Sequence, residues 1–130
     1  MAIGKEIDRV DAIAKVTGRA KYTDDFFQPG MLTAKIFRSS FAHGKVTSIQ
    51  TDKAKELPGV EAVFTYEDVP QIKFATAGHP YALDPAHADV EDKLILTQNI
   101  RQLGDEIAIV VAEDAITAEK ALKLIKVEYE

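Results

Sequence analysis

The alternation of apolar and polar positions is sharpest near the end of the chain. Ile107-Ala108-Ile109-Val110-Val111-Ala112 is apolar at every position. A strand with one wet face alternates apolar and polar side chains, so an unbroken apolar run predicts a strand covered on both faces. Glu113-Asp114-Ala115-Ile116-Thr117 interrupts it and offers Asp114 and Thr117 as candidate helix N-caps. Ala118, Ala121, Leu122 and Ile125 then recur at helical spacing on one face. Lys120, Lys123 and Lys126 fall off that face, where late lysines suit the negative end of the helix dipole. Lys126 to Glu130 alternates as a short strand. The unit predicted is strand, helix, strand.

Upstream, Met31 to Arg38 and Lys45 to Thr51 alternate as strands around a loop, Ser39 to Gly44. Asp52 is placed to cap a short helix from Lys53 to Leu57, which Pro58-Gly59 stops. Val60 to Tyr66 is a third strand, Glu67 to Pro70 one helical turn, and Leu94 to Thr97 a short apolar strand. Ala20 to Thr23 predicts another short strand, followed by a turn at Asp24 to Gly30. Residues 1–17 space Ile7, Val10, Ile13 and Val16 at intervals that permit a helix, but Asp8, Arg9 and Asp11 crowd it and predict an irregular arm. Residues 71–93 form a long loop broken by Gly78-His79-Pro80 and Asp84-Pro85. The fold class expected is α+β, a mixed sheet with short helices and a C-terminal β-α-β unit, in one domain over residues 18–130 behind the arm. Were the strands near 107–112 and 126–129 parallel in one sheet, their crossover would be right-handed.

Composition narrows the function. The 130 residues suffice for one domain with a real core. A net charge of −5 argues against nucleic acid as a partner. No apolar run is long enough to span a bilayer, and the N-terminus lacks the apolar stretch of a secretion signal. The absence of cysteine excludes disulfides, thiolate metal sites and a cysteine nucleophile in this chain. A cytoplasmic location is the simplest expectation from these features.

Candidate chemistry is sparse. His79, His87 and Asp84 share the long loop, but their spacing matches no compact metal-ligand motif, and solvated loop residues are the plainer reading. His43 follows Ser39 and Ser40 without the strand-turn-helix elbow that a nucleophilic serine needs, so it reads as a turn residue. Carboxylates pair at Asp24-Asp25, Glu67-Asp68, Asp105-Glu106 and Glu113-Asp114. Asp105-Glu106 is the best placed, between Gly104 and the apolar strand, yet there too a turn is the simpler reading. The glycines form no phosphate-binding G-x-G-x-x-G pattern. No catalytic, cofactor-binding or metal-binding residue is assigned on these grounds.

Longer blocks carry more. Arg9-Val10-Asp11-Ala12 with Lys15 to Asp25 resembles the opening of the molybdenum-binding subunit of the xanthine dehydrogenase and aldehyde oxidase family, and Phe37-Arg38-Ser39-Ser40-Phe41-Ala42-His43-Gly44 resembles that family's Arg-Ser-x-x-Ala-His segment. Ala54, Pro58 to Thr65 and Asp68-Val69-Pro70 resemble its next block. Gly104 to Ala112, Ala118-Glu119-Lys120-Ala121 and Val127-Glu128-Tyr129-Glu130 resemble its last. Gln102-Leu103 departs from the pattern, where the family often has an aromatic. The region so matched is the family's α/β hammerhead domain.

The resemblance implies a non-catalytic structural domain of a hydroxylase acting on purines, N-heterocycles or aldehydes. Such enzymes use a molybdenum–molybdopterin centre and pass electrons to iron–sulfur clusters and FAD. The family's cofactor loops and catalytic glutamate lie downstream of this domain, so none is carried onto this chain. Iron–sulfur ligation here is excluded by the missing cysteines. The implied partners are downstream molybdopterin-binding domains of a longer chain, with iron–sulfur and flavin subunits or domains. The competing expectation is a free-standing scaffold or binding module that shares the domain.

Overall fold

The structure, a computed structural model, describes Gly4, residues 7–76, Asp84, Ala86 and residues 89–130. It divides into two compact units, Met1–Met31 and Leu32–Glu130.

In the first unit, Ala12–Val16 forms a short helix, α1, where the sequence predicted an irregular arm. Two of the charges that predict crowding are instead paired: Asp11 meets Arg9, and also Lys15 one turn on at 2.7 Å. Ala20 to Thr23 is not a strand. Thr23–Asp25 makes a 3-10 turn, because the Asp25 carboxylate accepts the Tyr22 N–H at 2.8 Å and folds the backbone back. The expected turn follows, with Met31 N–H donating to Gln28 across Pro29-Gly30 and Gly30 at φ +79°.

The second unit holds β1 (Thr33–Arg38), β2 (Gly44–Gln50), α2 (Asp52–Lys55), β3 (Val60–Thr65), β4 (Asn99–Ile100), β5 (Glu106–Ala112), α3 (Ala115–Leu122) and β6 (Lys126–Tyr129). Two three-stranded sheets result, ordered β1-β5-β3 and β4-β2-β6. Every strand pair among the described residues is antiparallel. The β5-α3-β6 succession exists, but β5 and β6 lie in different sheets, so α3 links two sheets and makes no parallel crossover.

The local reasons are clear at both helices. Asp114 caps α3, its carboxylate accepting the Thr117 N–H at 2.8 Å and the Thr117 hydroxyl at 3.0 Å. At α2 the expected cap is displaced by one residue: Thr51 holds the N-cap position without a side-chain hydrogen bond, and Asp52 is the first helical residue. Leu94 to Thr97 is not a strand either. The Thr97 hydroxyl accepts the Asn99 N–H and donates to the Asn99 carbonyl, turning the chain so that pairing begins at Asn99. Glu67 to Pro70 closes as a turn, Asp68 reaching back to the Thr65 N–H and hydroxyl at 2.7 and 2.9 Å.

The larger core lies between the β1-β5-β3 sheet and the helices. Val63, Ala108, Val110 and Ala112 from the sheet meet Ala54, Ala118, Ala121 and Ile125. Alanine on both sides lets α3 approach the sheet closely. A smaller cluster joins Val46, Ile100 and Ile107. Phe37, Ile49 and Val127 pack against both clusters and tie the sheets together. Ile107 and Ala108 are consecutive yet both fully buried. A bulge opposite Phe37 and Arg38 permits this, because an extra residue in β5 turns two neighbours to the same side.

Candidate functional site

The one carboxylate pair singled out between Gly104 and the apolar strand does gather charge. Asp105 closes the turn before β5 and is buried. Its Oδ2 accepts the backbone N–H groups of Arg101 at 2.7 Å and Gln102 at 3.2 Å. Its Oδ1 faces Lys93 Nζ at 3.3 Å. Glu106, the first residue of β5, takes Arg38 Nη1 at 2.6 Å on Oε1 and Lys93 Nζ at 2.7 Å on Oε2. Oε2 is buried, and the Lys93 ammonium is its counter-charge. Arg38 Nη1 also donates to the Gly104 carbonyl, and Arg101 pairs with Asp92 at 2.9 Å. A cleft of about 390 Å³ opens beside the cluster, with Lys73, Thr76, Asp92, Asn99 and Gln102 in its wall.

The electrostatics define what this cluster can do. Burial pushes the Asp105 carboxyl up, but the Arg101 and Gln102 N–H donors and the Lys93 ammonium outweigh it and hold the group below its ordinary value. Burial likewise opposes ionisation of Glu106, and Lys93 and Arg38 overcome it. Glu106, then Asp105, hold the Lys93 ammonium above its ordinary value against desolvation. All three groups are locked in their charged forms. A general acid or base needs a pKa near the working pH, and none of these has one. The arrangement acts as a staple that fastens residues 92–93 and 101–102 to the ends of β1 and β5.

The other candidates are not brought together. Ser39 is buried, and its hydroxyl donates to the Phe41 carbonyl while accepting the Phe41 N–H, so it orders the loop before β2. His43 is exposed in that loop. His79 and His87 lie outside the described residues, and Asp84 accepts the Ala86 N–H at 2.9 Å. Among the described residues no group of three or more His, Asp or Glu is placed to hold a metal ion. Asp105 and Glu106 are taken up by cations of the same chain, so the cluster does not fit a molybdenum cofactor. Sequence reasoning missed Lys93, Arg101 and Asp92, whose roles depend on contacts across the chain. Arg38 was visible only inside a family-like block.

The architecture of two small antiparallel sheets and short helices, with this turn at its edge, defines a class. The sequence profile of the family described as aldehyde oxidase and xanthine dehydrogenase, a/b hammerhead domain, matches residues 17–130, and the chain belongs to that family. It is 57% identical over 122 residues to the xanthine dehydrogenase molybdenum-binding subunit of Escherichia coli O157:H7, a match covering 94% of this chain and 16% of that one. It is 38% identical to the carbon monoxide dehydrogenase large chain of Afipia carboxidovorans, over 98% of this chain and 15% of the relative. The crystal structure of the aldehyde oxidoreductase from Desulfovibrio desulfuricans superposes with a TM-score of 0.81 at 30% identity, over 98% of this chain and 14% of that one. The chain thus spans about a sixth of the length of the curated relatives it matches. Among the described residues no helix is long and apolar enough to cross a membrane.

Proposed function

We propose that this chain is a non-catalytic structural domain, an arm of residues 1–17 and a hammerhead of residues 18–130, within a longer molybdenum-dependent hydroxylase. The parent enzyme oxidises purines, other N-heterocycles or aldehydes in the cytoplasm. Its molybdenum–molybdopterin centre resides in the downstream domains, and iron–sulfur and FAD groups reside in further domains or subunits. The observation that carries this reading is 57% identity across 94% of the chain to a molybdenum-binding subunit about six times as long. The charge-locked Asp105–Glu106–Lys93 cluster supports a structural role, because it offers no group that titrates near neutrality.

Isothermal titration of the 130-residue chain with molybdenum cofactor and, separately, with xanthine tests the reading. No saturable heat is expected from either. Tight stoichiometric binding of one of them would sink it.

A further inference from the structure

The sheet β1-β5-β3 has one face on the core and one face open. The core face carries Val63, Ala108, Val110 and Ala112. The open face carries two cross-strand rows in register, Ile36–Ile109–Phe64 and Ala34–Val111–Ala62. All six are apolar, and none belongs to or packs against either core cluster. Ile36 remains 40% exposed and Phe64 41%. Charge enters at the two ends of the strands, where Arg38 pairs with Glu106 and where the exposed Glu61 sits at the bulge beside Ala62. A solvated face of an antiparallel sheet is normally polar, so an uncharged centre of this kind marks a surface that is covered in the working molecule.

We infer that the open face of β1-β5-β3 is the docking surface for a later segment of the same polypeptide, presenting an uncharged apolar helix or strand face. This rests on the reading that the chain is part of a longer subunit. Two observations select that occupant over a second copy of the chain. First, about five-sixths of the length of the matched relatives lies outside the residues aligned here. Second, the patch is small: an aromatic side chain buries about 250 Å² at most, two of the six side chains are alanine, and a stable interface between separate molecules needs roughly 800 Å² per partner. A tethered segment needs far less area, because its effective concentration is on the order of millimolar.

Single-cysteine footprinting tests the inference, since the chain has no cysteine of its own. Ala34→Cys and Ile36→Cys report the open face, and Lys53→Cys on exposed α2 is the control. Each is introduced into the full reading frame that encodes this chain and into the 130-residue chain, with circular dichroism confirming the fold. Alkylation is followed by mass spectrometry of the labelled peptide. In the full polypeptide the face positions should react roughly tenfold or more slowly than the control. In the 130-residue chain they should react at comparable rates. Equal rates in the full polypeptide would overturn the inference. So would protection already present in the 130-residue chain: if it grows with concentration a second copy is the cover, and if it does not, the cover is the chain itself. A reading frame that stops after Glu130 would remove the proposed function and this inference together, before any labelling. A frame that continues, with unprotected face positions, would remove this inference alone.

Discussion

Lys93 Nζ lies 2.7 Å from Glu106 Oε2 and 3.3 Å from Asp105 Oδ1, so one ammonium holds two adjacent carboxylates at the start of the central strand. Replacing Lys93 with methionine keeps the stem and leaves two largely buried carboxylates short of a counter-charge. The expected loss is about 1–3 kcal/mol, below that of a fully enclosed pair because Lys93 and Glu106 keep some solvent contact. Lys93→Met/Glu106→Gln should recover part of it. Urea unfolding at neutral pH reads both, and a double variant as unstable as the single one would show that charge pairing is not the cause.

The same groups set the pH range of stability. Asp105 and Glu106 are held below their ordinary values of 3.8 and 4.5. Their contribution is therefore complete above those values and is lost as pH falls through the depressed ones. Lys93 is raised above 10.5, and burial raises the Tyr129 phenol above 10.0 against the pull of Ser39 and Ser40. Their contributions are complete below those ordinary values and are lost as pH rises through the raised ones. A plateau with two falling limbs is expected when the urea midpoint is plotted against pH. Glu106→Gln should flatten the acid limb in part, leaving Asp105, Asp68, Asp114 and Asp11 to supply the rest. Tyr129→Phe should flatten the alkaline limb. An alkaline limb unchanged by both Tyr129→Phe and Lys93→Met would contradict the assignment.

What the sequence disclosed here was local order. The periodicity of Ala118, Ala121, Leu122 and Ile125 and the Asp114 cap sufficed for α3, because helix signals repeat within a few residues. Strand pairing is a different matter. Nothing in Lys126 to Tyr129 says that its partner is β2 rather than β5, since antiparallel pairing is chosen by packing across the whole unit. The two-residue β4 carries too little pattern to be seen. The unbroken apolar run Ile107 to Ala112 predicts cover on both faces, and within the described residues only one face has it. The composition of the strand reported a need for cover that the chain's own described residues do not meet. The charge cluster was half legible: Asp105-Glu106 stood out by position, whereas Lys93 and Arg101 gain meaning only when the chain folds back on β5.

Gly44 lies where the end of β6 leaves no room for a side chain. A Cβ there would lie 2.5 Å from the carbonyl oxygen of Glu130, which accepts the Lys45 N–H at 2.8 Å. Backbone cannot move aside as a flexible side chain can, so Gly44→Ala should displace the end of β6 from β2. A loss of about 1–3 kcal/mol is expected. The Lys45 amide should lose hydrogen-exchange protection while β1 amides keep theirs. The stacking of Phe41 on Tyr129, with ring centroids 4.4 Å apart, should loosen with it. Undiminished protection at Lys45 would mean that the added methyl is accommodated without the two backbones separating.

Removing the Asp114 side chain isolates the cap of α3. Asp114→Ala leaves the Thr117 N–H and hydroxyl without their acceptor and should lower the melting temperature, whereas Asp114→Asn keeps an oxygen in place and should lower it less. Calorimetry of both variants beside the parent protein distinguishes a capping role from a purely electrostatic one. Equal losses would point to the lost charge and not to the hydrogen bonds.

Two isoleucines on one strand separate the covered face from the open one. Ile107 is fully buried against Val46 and Ile100, and Ile107→Ala in the 130-residue chain should cost about 2–5 kcal/mol through lost burial and the cavity left behind. Ile109 stands on the open face between Ile36 and Phe64, only partly buried, and its truncation there should cost less, about 1–2 kcal/mol. In the full polypeptide the two costs should converge, because a docked segment turns Ile109 into an interior residue. Urea unfolding of both variants in both contexts gives the comparison. Equal losses in the 130-residue chain would mean that Ile109 is already enclosed, and a gap that persists in the full polypeptide would mean that the face stays open.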